Sequence, residues 1–412
     1  MSSYVVNERI EQIFQRLLSE PAVQQGLRFI ESDQSQAIAD QKTMVVIEAP
    51  TFQESQRAAY YADRLRELGL AEVHIDRHGN VWSKRPGKGK GPTVLLEAHL
   101  DTVFPFGTDV TPVEKDGRIY APGICDDTRG LAANLSVVRA FNETGIETEG
   151  DIIFAATVRE EGLGGMSGML DLLSDHPEVS ATISIDGAGY ETITYQGTGI
   201  RNFEVNYSGP GGHAYGAFGI PSPVHAAARA VTKLADMRPP ASPKTTFTVS
   251  LIEGGHQIHA IAQRAGFKIN MRSDDPVELD RLQEQAIAAF QAGAKEENAR
   301  WGKELVSVEY KMILDVPAGS QPDDAPIVQA AWKATESIGA APRLVPGGCT
   351  NTNMPIKLGI PAVTLGRGGK EGSIHSLGEW FDPEGTYRSP QKSFLMLLAL
   401  AGVHGATKSV LD

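Results

Sequence analysis

Apolar residues recur every three or four positions across Val6–Leu18 and Gln53–Leu70, with charges on the opposite side. That period predicts amphipathic helices, and the first 70 residues read as helical. Thr51, with Glu54 three residues on, has the arrangement of a capping box at the head of the second helix. Beyond Leu70 the rhythm shortens. Glu72–Ile75, Val81–Arg85 and Thr93–Ala98 are short apolar runs between Gly-rich turns, which predicts strands. A helix over Leu131–Thr144, a strand over Asp151–Thr157, a helix over Gly165–Leu173 and a buried strand over Ala181–Ile185 follow. Strands alternating with helices predict an α/β layer around a largely parallel sheet.

The pattern changes near Thr198. Strand Ile200–Tyr207, helix Ser222–Met237, strands Thr245–Leu251 and Phe267–Arg272, helix Pro276–Glu297 and strand Glu304–Lys311 give a β-α-β-β-α-β order. That order is the signature of a small ferredoxin-like α+β sandwich. After Val316 helix and strand alternate again. The expected organisation is a discontinuous domain, 1–199 with 317–412, interrupted by an inserted domain at 200–316.

A chain of 412 residues has room for two such domains. Its formal charge of −13 repels phosphates, which argues against nucleic acid or an anionic membrane as a partner. No apolar run approaches the length of a membrane span. The N-terminus lacks a basic stretch followed by an apolar core, so no secretory signal is expected. Cys125 and Cys349 are too few for a disulfide framework and suit a reducing compartment. The expectation is a soluble cytoplasmic protein of enzyme size.

Candidate chemistry sits where apolar strands end. His99 and Asp101 close the run Val94–Leu100, and strand alternation puts them on one face, Asp101 placed to orient the His99 ring. Asp126 and Asp127 stand at a loop-to-helix junction, where an Asp also serves as an N-cap. Glu160 and Glu161 follow a strand and precede Gly162, Gly164 and Gly165. Asp186 ends a buried strand, where a carboxylate needs a partner. His375 follows the Gly-rich loop 366–372, with Glu379 as a candidate partner for its ring. Singly these residues are ordinary. Together they supply oxygen and nitrogen donors for two zinc-like ions around a water, the apparatus of metal-assisted hydrolysis.

As a set, His99-Leu100-Asp101, Gly123-x-x-Asp126-Asp127, Glu160-Glu161-Gly162, Asp186 and His375-Ser376 resemble the dizinc metallopeptidase family that contains peptidase T, carboxypeptidase G and the aminoacylases. The resemblance covers essentially the whole chain. It implies a zinc-exopeptidase-like catalytic domain, with a mostly parallel mixed sheet flanked by helices, plus an inserted lid and dimerisation domain. It implies two Zn2+ per subunit, one on His99, Asp126 and Asp186, the other on Asp126, Glu161 and His375. Mn2+ or Co2+ suit the same oxygen-rich donors. Glu160 becomes the general base, Asp101 the orienter of His99, and the Asp126–Asp127 peptide bond is expected to be cis. In the insert, His213 is implied to stabilise the oxyanion and Arg272 to clamp a substrate carboxylate. Asn353 is assigned with Arg272 to substrate binding.

The chain departs from the family wording at Asn270, at His225 and in the loop Gly347–Asn353, all around the pocket rather than the metal set. The implied reaction is cleavage of an amide bond in a short peptide by a homodimeric, tripeptidase-like exopeptidase. An N-acyl-amino-acid amidohydrolase or deacetylase uses the same core. An inactive, dimeric metal-binding interaction protein is the reading from another class, and Glu160 beside a complete ligand set speaks against it.

Overall fold

The computed structural model describes residues 4–412. The chain divides into two compact units, Met1–Gly197 with Ser320–Asp412, and Thr198–Gly319.

An eight-stranded sheet forms the middle of the first unit, in the order His74–Ile75, Val81–Arg85, Ile152–Thr157, Thr93–His99, Val179–Gly187, Ala362–Gly366, Thr192–Thr194, Arg343–Val345. The four central strands, from Ile152–Thr157 to Ala362–Gly366, are mutually parallel. Antiparallel pairing enters on both sides of them. Thr93–His99 and Ile152–Thr157 are buried along their whole length. Helices cover both faces of such strands, which is why they read as continuous apolar runs. Thr128–Thr144 and Arg388–Ala401 are among those helices, and the run Phe394–Ala401 is entirely buried.

The N-terminal segment holds four helices, Glu8–Ser19, Pro21–Ser32, Gln34–Val45 and Ser55–Glu67. The capping box expected at Thr51 does not form. Thr51 Oγ1 donates to Asp101 Oδ2 at 2.9 Å, while Glu54 Oε1 accepts from the N–H groups of Phe52 and Arg159. Tertiary partners near the strand ends have claimed both side chains, and the helix starts at Ser55 without a side-chain cap.

A second, antiparallel sheet of four short strands follows the order Lys370–Gly372, Trp380–Asp382, Arg118–Tyr120, Val113–Lys115. The sequence pattern did not reveal it, because strands of three residues carry no readable period. It carries the loop holding His375.

The inserted unit has an antiparallel four-stranded sheet in the order Thr245–Gly254, Arg264–Ser273, Gly199–Ser208, Ser307–Val316. Helices Pro223–Ala235 and Pro276–Trp301 bury Phe203, Val205, Tyr207, Phe267, Met271 and Phe290 against it. The last strand begins at Ser307 rather than Glu304. Asn298, near the end of the long helix, holds the N–H groups of Leu305 and Val306 on its Oδ1 and donates to Val306 O. Those groups are therefore lost to the sheet.

Candidate metal centre

His99 is the last residue of a central strand and is 1% exposed. Its Nδ1 lies 3.0 Å from the backbone oxygen of Asp101 and 3.5 Å from that residue's Oδ1. A carbonyl acceptor fixes the hydrogen on Nδ1 and turns the Nε2 lone pair outward, as a metal ligand requires. The ring N–H is therefore taken by the Asp101 main chain rather than by its carboxylate, which has another task. That carboxylate accepts from Thr51 and from the backbone N–H groups of Glu160 and Glu161, each at about 3 Å, and so ties the Glu160–Glu161 turn to the His99 strand end.

Asp126 and Asp127 separate sharply in role. Asp127 caps helix Thr128–Thr144, its Oδ1 accepting from Gly130 N–H, and its Oδ2 accepts the His99 N–H at 3.0 Å. Asp126 faces two imidazoles, with Oδ1 3.0 Å from His99 Nε2 and Oδ2 3.1 Å from His375 Nε2. The peptide bond between these aspartates is cis, as the resemblance implies. The loop leading to them turns at Gly123, whose φ of +77° suits glycine.

Each imidazole meets a further carboxylate. Asp186 Oδ1, at the end of strand Val179–Gly187, is 3.7 Å from His99 Nε2, and Glu161 Oε1 is 2.8 Å from His375 Nε2. Ligand atoms of His99, Asp126 and Glu161 lie within 4.8 Å of one another, and so do those of His99, Asp127 and Asp186. Asp127 is held by two backbone donors. Asp126, by contrast, has one oxygen at each imidazole.

The electrostatics record crowded negative charge. Burial alone would push His99 down, but the surrounding carboxylates of Asp101, Asp126 and Asp186 hold its pKa well above the usual imidazole value. Hydrogen bonds to Asp126 and Glu161 raise His375 to about 10. Burial would raise Asp126, yet Arg367, His375 and His99 together hold it well below the carboxylate range. Glu160 goes the other way. Burial drives its carboxyl well up against the opposing charge of His99, and Asp186, Glu161 and Asp101 add to the rise. Carboxylates and imidazoles converging in this way match the donors that zinc and manganese take, and divalent ions would relieve the repulsion among them.

Two residues correct or extend the sequence reading. Glu379 does not serve His375. Its carboxylate accepts the N–H groups of Gly123, Cys125 and Asp126 at 3.1, 2.7 and 3.2 Å, holding the Asp126 loop from beneath. Ser373 and His375 both have positive φ, and the kinked turn sends the two side chains to different partners. Arg367 was missed. Its guanidinium, 4% exposed, lies 2.9 Å from Asp126 Oδ1 and 3.1 Å from Asp186 Oδ1. Its position gave the available signal, since it directly follows the central strand Ala362–Gly366.

Asn353 is fully buried at the head of helix Asn353–Lys357, where its Oδ1 accepts the N–H of Thr350 and braces the loop before it. His213 and Arg272 belong to the inserted unit. His213 is exposed, and its Nδ1 accepts from the N–H groups of Tyr215 and Gly216, leaving the hydrogen on Nε2. Arg272 is exposed and donates from Nε to Asn270 Oδ1 at 3.2 Å.

His99 and Asp186 at the carboxyl ends of parallel strands, joined by His375 from a loop of the small antiparallel sheet, form a candidate site of the kind a metal-dependent hydrolase uses. The family model of peptidase family M20/M25/M40 matches residues 95–393, and the chain belongs to that family. It is accordingly a hydrolytic enzyme acting on carbon–nitrogen bonds. The Bacillus subtilis protein YqjE, described as uncharacterised, is 27% identical over 351 residues, 82% of this chain and 90% of its own length. Aminopeptidase PepT from Bacillus cereus has the same fold with a TM-score of 0.73 and 25% identity, covering 88% of this chain and 97% of PepT. A tripeptidase from Staphylococcus aureus superposes with a TM-score of 0.76 at 23% identity, with the same coverage of 88% and 97%.

Proposed function

We propose that the protein is a two-metal exopeptidase that cleaves short peptides in the manner of a tripeptidase. One observation carries the two-metal reading: Asp126 offers one oxygen to His99 and the other to His375, and each of those imidazoles meets a further carboxylate. One position would use His99, Asp126 and Asp186, the other Asp126, Glu161 and His375. Zinc is the metal of choice for this mixture of imidazole and carboxylate, with manganese or cobalt next. When bound, such a pair supplies a water acidified to a pKa of about 7 and polarises the scissile carbonyl.

The chain's own residues do the rest. Glu160 takes the water's proton and returns it to the leaving nitrogen. Asp101 fixes Glu160 through its backbone N–H, so the base cannot drift from the ligands. His213, with Nε2–H free to donate, supplies a hydrogen bond to the developing oxyanion. Arg272 pairs with a substrate carboxylate, the terminus an exopeptidase would recognise. Asn353 supports substrate binding by shaping the loop before it.

Likeness to PepT over nearly its whole length supports a peptide substrate. A homodimer through the insert is proposed because strand Thr245–Gly254 forms a sheet edge on which Leu251 and Ile252 are exposed. Among the described residues no helix is long and apolar enough to cross a membrane, and we place the protein in the cytoplasm on its net charge of −13 and its two cysteines.

Metal-reconstituted protein assayed on di- and tripeptides and on N-acyl amino acids tests this reading. Turnover of tripeptides is expected, and Glu160→Gln should lose about 10²–10⁴-fold in rate with its metal content intact. Turnover of N-acyl amino acids alone would replace the peptidase by an amidohydrolase. Unaltered turnover in Glu160→Gln would remove the mechanism.

A further inference from the structure

Arg367 takes no part in the reaction just derived, yet its guanidinium touches two of the candidate ligands. Nη1 contacts Asp126 Oδ1 and Asp186 Oδ1 at 2.9 and 3.1 Å, the same two oxygens that His99 Nε2 meets at 3.0 and 3.7 Å. Nη2 is tied to Glu371 Oε1 at 2.9 Å. The main chain is pinned too. Its N–H donates to Gly187 O at 2.7 Å, beside Asp186, and its carbonyl accepts from Arg129 Nε at 3.1 Å. A buried side chain anchored through its own backbone and through Glu371 is built into the centre.

A cation on two ligand oxygens can act in opposite senses. As an orienting partner it would hold the carboxylates ready, and its loss would weaken metal binding about 10–100-fold. As a counter-charge it would neutralise Asp126 and Asp186 while no metal is present, and would oppose a divalent ion arriving at the same oxygens. The geometry favours the second sense. Nη1 donates to the very oxygens that face His99, whereas an outer partner of Asp186 would take its other oxygen. The Arg367–Glu371 pair also keeps Nε and Oε2 buried without hydrogen-bond partners, a donor and an acceptor in reserve for a shifted guanidinium.

We propose that Arg367 is the internal counter-cation of the metal centre. It holds Asp126 and Asp186 together in the metal-free chain, and it makes the His99–Asp126–Asp186 position the weaker of the two. This rests on the two-metal reading above. A built-in cation of this kind gives the protein two loading thresholds, so that one ion is retained at metal concentrations where the other is lost.

The test is a zinc titration of metal-free wild type, Arg367→Met and Arg367→Lys by calorimetry, with bound metal counted by mass spectrometry and thermal unfolding followed in parallel. Wild type should load in two separable steps. Arg367→Met should tighten the weaker step by about tenfold or more, and its metal-free form should unfold at a lower temperature. Arg367→Lys keeps the charge and should stay near wild type in both readouts. Unchanged or weaker zinc binding in Arg367→Met overturns the proposal. If that variant folds only with metal, zinc loss to a chelator decides instead: slower loss than wild type supports the proposal, faster loss refutes it. A wild type that binds no stoichiometric zinc would overturn the metal centre itself, and that failure would be visible without any Arg367 variant.

Discussion

Adjacent aspartates at 126 and 127 show how little a residue's identity says until its donors are counted. Asp127 is committed to Gly130 and His99 N–H, while Asp126 keeps one oxygen for each of two histidines. The same accounting applies two residues before His99. Glu97 is fully buried, and its Oε2 accepts from Thr157 Oγ1 and Asn351 Nδ2. Burial raises its carboxyl from 4.5 to about 7, against the hydrogen bond from Thr157 and the charge of His99. A folded-state pKa above the unfolded value means stability that is complete below about pH 4.5 and is lost as pH climbs through about 7. Glu97→Gln removes that loss. The stability difference between metal-free wild type and this variant should therefore move in the variant's favour between pH 5 and pH 8, measured by thermal or urea unfolding. Parallel pH profiles would show that Glu97 does not titrate there. Most residues of the centre were legible because each ends an apolar strand or abuts a glycine cluster. Arg367 was not, since an arginine in a Gly-rich loop reads as a solvated charge until the neighbouring strand ends are known. Glu379 was misread for the opposite reason: four residues from His375 it suggests a local pair, which positive φ at Ser373 and His375 undoes.

Among elements, the central strands and the insert's β-α-β-β-α-β order were readable because their periods run long enough to be distinctive. The small sheet of Lys370–Gly372, Trp380–Asp382, Arg118–Tyr120 and Val113–Lys115 was not, and the capping box at Thr51 gave way to tertiary partners. That small sheet matters because it brings Glu379 under the loop Gly123–Asp126. Three backbone N–H groups there have one buried carboxylate as their acceptor. Glu379→Ala leaves them unsatisfied and should cost about 3 kcal/mol of unfolding free energy. It should also weaken zinc binding about 10–100-fold, because Asp126 is no longer held in place. Glu379→Gln keeps an oxygen for Cys125 and Asp126 and turns an amino group toward Gly123, so its cost should be smaller. Chemical denaturation and a zinc titration check both. Full stability and affinity in Glu379→Ala would mean that the loop is shaped by something else.

Across the molecule, the candidate metal centre draws on both segments of the split first unit. His99, Asp101, Asp126, Glu160, Glu161 and Asp186 precede the insert, while Arg367, His375 and Glu379 follow it. No local stretch contains the site, so it exists only once the parallel sheet has brought distant strand ends together. Family membership and the hydrolysis of carbon–nitrogen bonds follow from the family match over residues 95–393. The two-metal mechanism depends on one carboxylate serving both sides. The most direct test is anomalous scattering from crystals grown with excess zinc. Two peaks roughly 3.5–4 Å apart, one on each side of Asp126, are the expected result. A single peak, or zinc bound only away from Asp126, would contradict it.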